Sequence, residues 1–283
     1  MSSAEHQPSP LDSPAPHAGS PCPGPDVVTR LRAAGCVFAE DEAELLAAEA
    51  CSPAELTALV DRRVAGLPLE QVLGWAEFCG LRIALEPGVF VPRRRTEFLV
   101  RRAVALAPPR PVAVDLCCGS GAVGAALGAL LPVAELHAAD VDPAAVRCAR
   151  RNLPAGTVHH GDLFAALPTA LRGRIDLLAA NVPYVPTGDV PLLPPEARIH
   201  EPLVALDGGA DGLAVLRRVA AAAPRWLAPG GRLLVETTER QAPSAVAAFT
   251  TAGLRPEVTT CENLGATVIT GTRPDGWSAR SRP

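Results

Sequence analysis

Three hydrophobic rhythms succeed one another along the chain. Between residues 26 and about 75, apolar positions recur every three to four residues, the spacing of one helix face. Asp26 caps a first helix running through Ala34, and Asp41 opens a second with Leu45 and Leu46 on one face. Ser52-Pro53-Ala54-Glu55 is a capping box with proline at the first helical position, and the helix it opens carries Leu56, Leu59, Val60 and Val64 before Gly66 stops it. From Glu77 to Val91 the pattern turns to strands. Cys79-Gly80 marks a turn, and Leu81-Arg82-Ile83-Ala84-Leu85 alternates as a half-buried strand. Thr96 then suits the N-cap of a helix holding Phe98, Leu99 and Val100. From Val112 onward, short apolar runs alternate with helical patterns. Val112 to Leu116, Leu136 to Asp140, a stretch near Val158, Ile175 to Ala180 and Arg232 to Glu236 read as strands, with two closing strands near 256–260 and 266–271. Such alternation predicts an α/β fold, a mostly parallel sheet covered by helices on both faces.

Composition sharpens this in a few places. The chain has 283 residues, enough for one large or two smaller domains, and 48% are hydrophobic, enough for a sizeable core. Residues 1 to 25 are Ser/Pro-rich and read as a disordered tail, and residues 274 to 283 as a loose one. The net charge is −4, and all 26 basic residues are arginine. That acidic balance argues against bulk nucleic-acid binding, which needs phosphate neutralisation. The eight cysteines form no matched pair of C-x-x-C motifs, and His159 and His160 have no ligand partners at a recognisable spacing, so no metal is expected. No signal peptide is visible, and no apolar stretch free of Pro, Gly and charge reaches membrane-span length. The expectation is a cytoplasmic protein with free thiols and no membrane association.

Candidate chemistry sits at the carboxyl ends of successive strands, where open α/β sheets bind ligands. Cys117-Cys118-Gly119-Ser120-Gly121 follows the first parallel strand and leads into a helix with Val123, Leu127 and Leu130. A glycine-rich turn there lets the backbone approach a ligand closely, with the helix N-terminus aimed at it. Asp140 ends the next strand, where a carboxylate can hold both hydroxyls of a ribose, while Asp142 before Pro143 suits a helix cap. Gly161-Asp162-Leu163-Phe164 offers a carboxylate for an exocyclic amine and apolar neighbours for a purine; a helix cap is the other reading of Asp162. Asn181-Val182-Pro183-Tyr184, which contains the only tyrosine, ends a buried strand and reads either as a grip on a planar amide or amino group or as a simple turn. A proline-rich connection from 185 to about 210 follows; long connections of this kind are often functional. Arg93-Arg94-Arg95 is either a solvated loop or a cationic patch facing an anion.

Gly-Ser-Gly, Asp140, Gly-Asp-Leu-Phe and Asn-x-Pro-Tyr together resemble class I S-adenosylmethionine-dependent methyltransferases acting on planar nitrogen. More narrowly, the chain resembles the HemK-like (PrmC-like) glutamine N5-methyltransferases of peptide-chain release factors, from about Asp26 to Gly271. Arg62 through Glu97 is similar to that family's linker, and Glu201-Pro202 through Gly212-Leu213 is a further family-like signature.

The resemblance implies a helical substrate-docking domain (26–75), a β-hairpin linker (76–96) and a seven-stranded methyltransferase domain (97–273). It implies S-adenosylmethionine as cofactor, S-adenosylhomocysteine as product and the Gly-Gly-Gln glutamine of a release factor as substrate, on a monomeric enzyme. Carried over residue by residue, Cys117, Cys118, Gly119, Ser120 and Gly121 would lie along the cofactor, Asp140 would hold its ribose, and Asp162 and Leu163 its adenine. Asn181, Val182, Pro183 and Tyr184 would hold the amide. Four departures mark a divergent member. Val182 stands where the family has proline, Cys117 where it usually has glycine, and Arg94-Arg95 where it has Pro-Glu, while the segment Asn263 to Thr267 lacks the family's arginine. Methylation of a nucleic-acid amino group, with a basic track at arginines 93–95, 101 and 102, and a non-catalytic cofactor-binding protein are the alternatives.

Overall fold

The computed structural model describes residues 23–277. The expected Ser/Pro-rich tail up to residue 22, and the C-terminal tail beyond residue 277, lie outside the described residues.

Four helices come first: α1 (Pro25–Ala33), α2 (Ala39–Glu49), α3 (Pro53–Val64) and α4 (Leu69–Leu73). They enclose an apolar cluster of their own, with Leu31, Leu46 and Val60 fully buried. Two expected caps are corrected. Gly24, not Asp26, occupies the N-cap of α1, and Asp26 lies in its first turn, because Pro25 takes the first helical position. Helix α2 begins at Ala39 rather than Asp41, and because adjacent residues on a helix point about 100° apart, Leu45 turns outward while Leu46 stays in the core. The capping box at Ser52 forms as expected: its hydroxyl accepts the Glu55 N–H.

Strands β1 (Trp75–Phe78) and β2 (Leu81–Ala84) make the hairpin, turning at Cys79 and Gly80, both at positive φ. Phe78 and Ile83 bury against one face of the large sheet, so the hairpin is packed rather than free. Thr96 is not the N-cap of α5 (Glu97–Leu106). It has helical dihedrals and makes no cap bond, because the segment Arg94–Thr96 already winds as a 3₁₀ turn. Its hydroxyl is used elsewhere.

Seven strands form the main sheet: β3 (Val112–Leu116), β4 (Glu135–Asp140), β5 (Thr157–His160), β6 (Ile175–Ala180), β7 (Leu227–Thr237), β8 (Arg255–Cys261) and β9 (Ala266–Thr272). Their order is β5-β4-β3-β6-β7-β9-β8, with only β9 antiparallel to its neighbours. Every residue of central β3 is buried, as a strand covered on both faces requires. Helices α5, α6 (Ala122–Leu130) and α7 (Pro143–Asn152) cover one face, burying Leu99, Leu127 and Val146. Helices α10 (Ala214–Ala222) and α11 (Ala242–Thr251) cover the other, burying Leu216, Val219 and Phe249.

Strand β7 begins at Leu227, five residues before the expected start. It runs through Pro229-Gly230-Gly231 with a shift of register against β6. A Cβ at Gly231 would meet the Ile175 carbonyl at 2.5 Å, so glycine permits this close pairing. The proline-rich connection is not structureless either. It holds a 3₁₀ segment (Thr187–Leu192) and two short helices, α8 (Pro195–His200) and α9 (Leu203–Leu206).

The register decides where function can sit. Leu116 pairs with both Ala139 and Ala180, and Ala180 pairs with Val235. Cys117, Asp140 and Asn181 therefore leave or end the sheet at one level, along one edge, beside Glu236 of β7.

Candidate functional site

A cavity of about 630 Å³ opens at that edge. All the site residues expected from the sequence line it except Gly121. A Cβ on Gly121 would meet Ala149 and Leu153 at 3.1 Å, so this glycine lets α6 and α7 approach, set back from the cavity lining. Gly119 is the opposite case: its φ is +53°, and a Cβ there would point into open space.

The glycine turn is held by backbone bonds to its neighbours. Cys118 N–H donates to Ala139 O at 3.1 Å, and Gly121 N–H to Cys118 O at 2.7 Å. Asp140 accepts the Gly119 N–H at 2.8 Å through Oδ2 and the Asp142 N–H at 2.9 Å through Oδ1. Asp142 caps α7 as expected, accepting the Ala144 N–H at 2.8 Å. Burial pushes the Asp140 carboxyl up, against those backbone donors. Two residues beside the turn were not singled out in the sequence. Asp115 accepts the Gly124 N–H at 2.8 Å, and burial pushes its carboxyl up to about 8. Asn152 donates to Ser120 O and Ala84 O, tying turn to hairpin.

Four described residues other than glycine have positive φ, and two of them, Cys117 at +59° and Leu163 at +47°, line this cavity. Left-handed backbone at a cysteine and a leucine is uncommon, and such strain gathers at ligand-binding surfaces. Cys117 thus adopts the conformation that the more usual glycine would take freely. Its thiol, desolvated and surrounded by Asp140 and Asp115, is pushed far toward the protonated form, as is that of Cys118. Asp162 makes no cap bond; it pairs with Arg218 at the surface.

The tetrapeptide is built differently, through contacts distant in sequence. Val182 is buried, and Pro183 and Tyr184 lie against a glycine-rich stretch. A Cβ on Gly208 would meet Pro183 O at 2.7 Å, and one on Gly212 would meet Tyr184 O at 2.2 Å. Tyr184 O also accepts from Gln241 Nε2 at 2.9 Å. Asn181 Nδ2 donates to the Thr96 hydroxyl at 3.3 Å. Among the described residues, no group donates to Asn181 Oδ1 or to the Val182 carbonyl oxygen. Two acceptors are therefore left free on two residues that line one cavity.

Three of the arginines proposed as a basic track are paired. Arg93 makes a two-pronged bond to buried Glu201, Arg95 bonds Glu236 and the Tyr184 hydroxyl, and Arg102 pairs with Glu257. Arg95 and Tyr184 also line a second cavity of about 310 Å³, together with Gly265, Ala266 and Thr267. Two departures from the family pattern, an added base at 95 and a missing one in 263–267, thus line one space. The connection holding α8 and α9 covers the main cavity. It is latched by Arg63 to Glu196, by Gln71 Nε2 to His200 O, and by Arg93 to Glu201.

Among the described residues no cluster of His, Cys, Asp and Glu is arranged to hold a metal ion, and no helix is long and apolar enough to cross a membrane.

Comparison with known proteins gives the same architecture. The family profile "Methyltransferase small domain" matches residues 80–190. A release factor glutamine methyltransferase of Geobacter sulfurreducens is 40% identical, over 71% of this chain and 72% of its own. One of Mycolicibacterium smegmatis is 39% identical, over 83% of this chain and 90% of its own. A 4-amino-L-phenylalanine/4-methylamino-L-phenylalanine methyltransferase of Streptomyces pristinaespiralis is 37% identical, over 76% of this chain and 81% of its own. The crystal structure of a methyltransferase from Pyrococcus furiosus shares the fold at 14% identity, covering 77% of this chain and 98% of that one with a TM-score of 0.54.

Proposed function

The chain belongs to the release factor glutamine methyltransferase family, and we propose that it methylates the side-chain amide nitrogen of the Gly-Gly-Gln glutamine in a peptide-chain release factor. The fold is that of class I methyltransferases. The observation that carries the acceptor chemistry is the pair of free oxygens, Asn181 Oδ1 and Val182 O, on two adjacent residues that line the main cavity.

The cavity fits S-adenosylmethionine. Its lining carries seven carboxyl groups, of which Asp115 is held protonated by burial, against three guanidinium groups, a balance suited to a cationic ligand. Gly119 leaves open space for a close approach, and Asp140 stands at the end of β4 for a ribose. Asp162 and Leu163 are assigned to the adenine. Once bound, the cofactor supplies an electrophilic methyl group on sulfur.

The chain's residues must do the rest. An amide nitrogen is a poor nucleophile because its lone pair is delocalised into the carbonyl. Asn181 Oδ1 and Val182 O accept its two N–H groups and aim the lone pair across the cavity. Pro183 keeps Val182 extended, which fixes the direction of that carbonyl although Val182 replaces a proline. The Tyr184 ring packs against the amide plane. Positioning and electrostatics supply the rate, with no covalent enzyme intermediate. We further take 26–75 as a docking domain, 76–96 as linker and 97–273 as the methyl-transfer domain of a cytoplasmic monomer.

A methyl mass on the Gly-Gly-Gln glutamine after incubation of release factor with enzyme and cofactor tests this directly. Asn181→Ala is expected to lower turnover at least ~100-fold with the fold intact, the scale of losing one aimed polar group. Near-normal turnover would refute the role. A second reading is favoured by the Streptomyces relative and by Arg95, whose cation stands in the acceptor wall. In it the acceptor is the neutral aromatic amine of a small amino acid. Incubation with 4-amino-L-phenylalanine in place of the release factor separates the two.

A further inference from the structure

The Asn181 side chain can serve only one way round: its oxygen must face the acceptor and its NH2 must face the protein. An amide flipped about its last bond would present donors to the acceptor's own donors and repel it. Something must hold this orientation, and the structure shows a chain of groups able to do so. Asn181 Nδ2 meets the Thr96 hydroxyl at 3.3 Å. Thr96 is only 3% exposed, and so can exchange bonds with water little. A hydroxyl can both donate and accept, so by itself Thr96 would tolerate either end of the amide.

Glu236 breaks that symmetry. It sits at the end of β7, one residue past the Val235 that pairs with Ala180, and so beside Asn181. It is 2% exposed. Its Oε1 accepts from Arg95 Nε at 2.9 Å, while Oε2 is buried without a partner. Burial pushes the carboxyl up, while the neighbouring Thr96 hydroxyl and the Arg95 guanidinium pull it back toward its charged form. A hydroxyl has one proton. Drawn toward the carboxylate, it leaves a lone pair facing Asn181, and only the NH2 end of the amide can answer. The same carboxylate holds Arg95, whose other nitrogen donates to the Tyr184 hydroxyl.

We propose that Glu236 is a positioning residue, which through Thr96 orients the Asn181 amide with its oxygen toward the acceptor and through Arg95 seats Tyr184. One buried carboxylate thereby aligns both ends of the tetrapeptide. The inference rests on the reading of Asn181 to Tyr184 as the acceptor grip, but it can be tested apart from it.

The chain has three asparagines, 152, 181 and 263, so full-length protein labelled with ¹⁵N-asparagine gives three side-chain NH2 signals. The Asn181 signal is expected to move in Glu236→Gln and in Thr96→Val, to stay in Thr96→Ser, and the other two to stay throughout. An Asn181 signal unmoved in both Glu236→Gln and Thr96→Val overturns the proposal, whatever the acceptor is. With release factor as acceptor, Glu236→Gln and Thr96→Val should each lower kcat about 10- to 100-fold, the cost of misplacing a reacting group. KM and cofactor affinity should change less than about threefold, and Thr96→Ser should restore kcat. The double variant should be no worse than the poorer single one, since both break one chain of bonds. Additive losses, or normal kcat in Glu236→Gln while Asn181→Ala is inactive, would overturn the proposal. Normal kcat in Asn181→Ala would instead sink the acceptor reading and leave the NMR result to judge Glu236. If Glu236→Gln does not fold, the two Thr96 variants decide.

Discussion

The two halves of the cavity are built on different plans. On the side of β3, β4 and β5, a ligand would meet mostly backbone: the turn from Cys117 to Gly121, braced by Asp140, whose two oxygens take the Gly119 and Asp142 N–H groups. The bond to Gly119 joins neighbouring strand ends in the same sheet, and the bond to Asp142 is local to the turn. On the side of β6 and β7, an acceptor would meet side chains whose supports come from far along the chain. Thr96 and Arg95 lie some 85 residues or more before their partners Asn181 and Tyr184, and Gln241 lies 57 beyond Tyr184. The first plan suits a ligand of one fixed shape, recognised by main-chain groups that substitution hardly alters. The second can be retuned by single substitutions, and the Arg95 and 263–267 departures both fall there.

Four changes would sharpen or break this contrast. The largest effect is expected at Asp115. Its folded-state carboxyl titrates near 8 rather than near 3.8 because it is buried, so the folded chain keeps a proton that the unfolded chain releases. Stability should therefore fall as pH rises from about 4 to about 8, by up to about 1.4 kcal/mol per unit. Asp115→Asn should remove that slope in urea unfolding measured across this range. Equal slopes in both proteins would mean that Asp115 is not held protonated.

Gly212→Ala comes next, on the acceptor side. Its φ is +77° and its Cβ would overlap the Tyr184 carbonyl, so the tetrapeptide must shift. We expect a loss of about 3 kcal/mol in unfolding free energy, with turnover falling more than cofactor affinity. An equal fall in both would show that the two sides are not separable. Asp140→Asn is the converse on the glycine side. Replacing charge-assisted bonds by neutral ones should weaken cofactor binding by about 2 kcal/mol in calorimetry, with little change in acceptor KM. The smallest effect belongs to Arg218→Ala. It frees the Asp162 carboxylate, but the pair is exposed at the surface, so cofactor affinity should rise by no more than about 1 kcal/mol and less in high salt. A fall in affinity would place Arg218 itself among the cofactor contacts.

Much of the glycine side could be read from the chain alone. The spacing from Gly119 to Asp140, the Asp142-Pro143 cap and the apolar run of β3 are local signals, because the residues that shape each turn lie next to it in sequence. Where reading failed, a distant contact had overruled the local preference. Thr96 looks like a helix cap, yet it is drawn to Asn181 because β6 ends against the start of α5. Gly121 looks like part of a ligand cradle, and the close packing of α6 on α7 that it also permits could not be read from its neighbours in sequence. Glu236 gave one signal, a charged residue closing the apolar run Leu233-Leu234-Val235, but nothing in that run says what it faces.

The amino-acid order by itself determined the α/β alternation, the positions of the strand ends and the residue types offered there, since periodicity, caps and glycine turns act over a few residues. The tertiary structure alone decided that Leu116, Ala139, Ala180 and Val235 share one level, and hence that Asp140 and Asn181 meet at one cavity with Glu236 buried beside Asn181. It also decided which of two possible bonds each side chain makes. Strand register and side-chain partners are set by packing between segments tens of residues apart, and that free energy does not exist until the segments have come together.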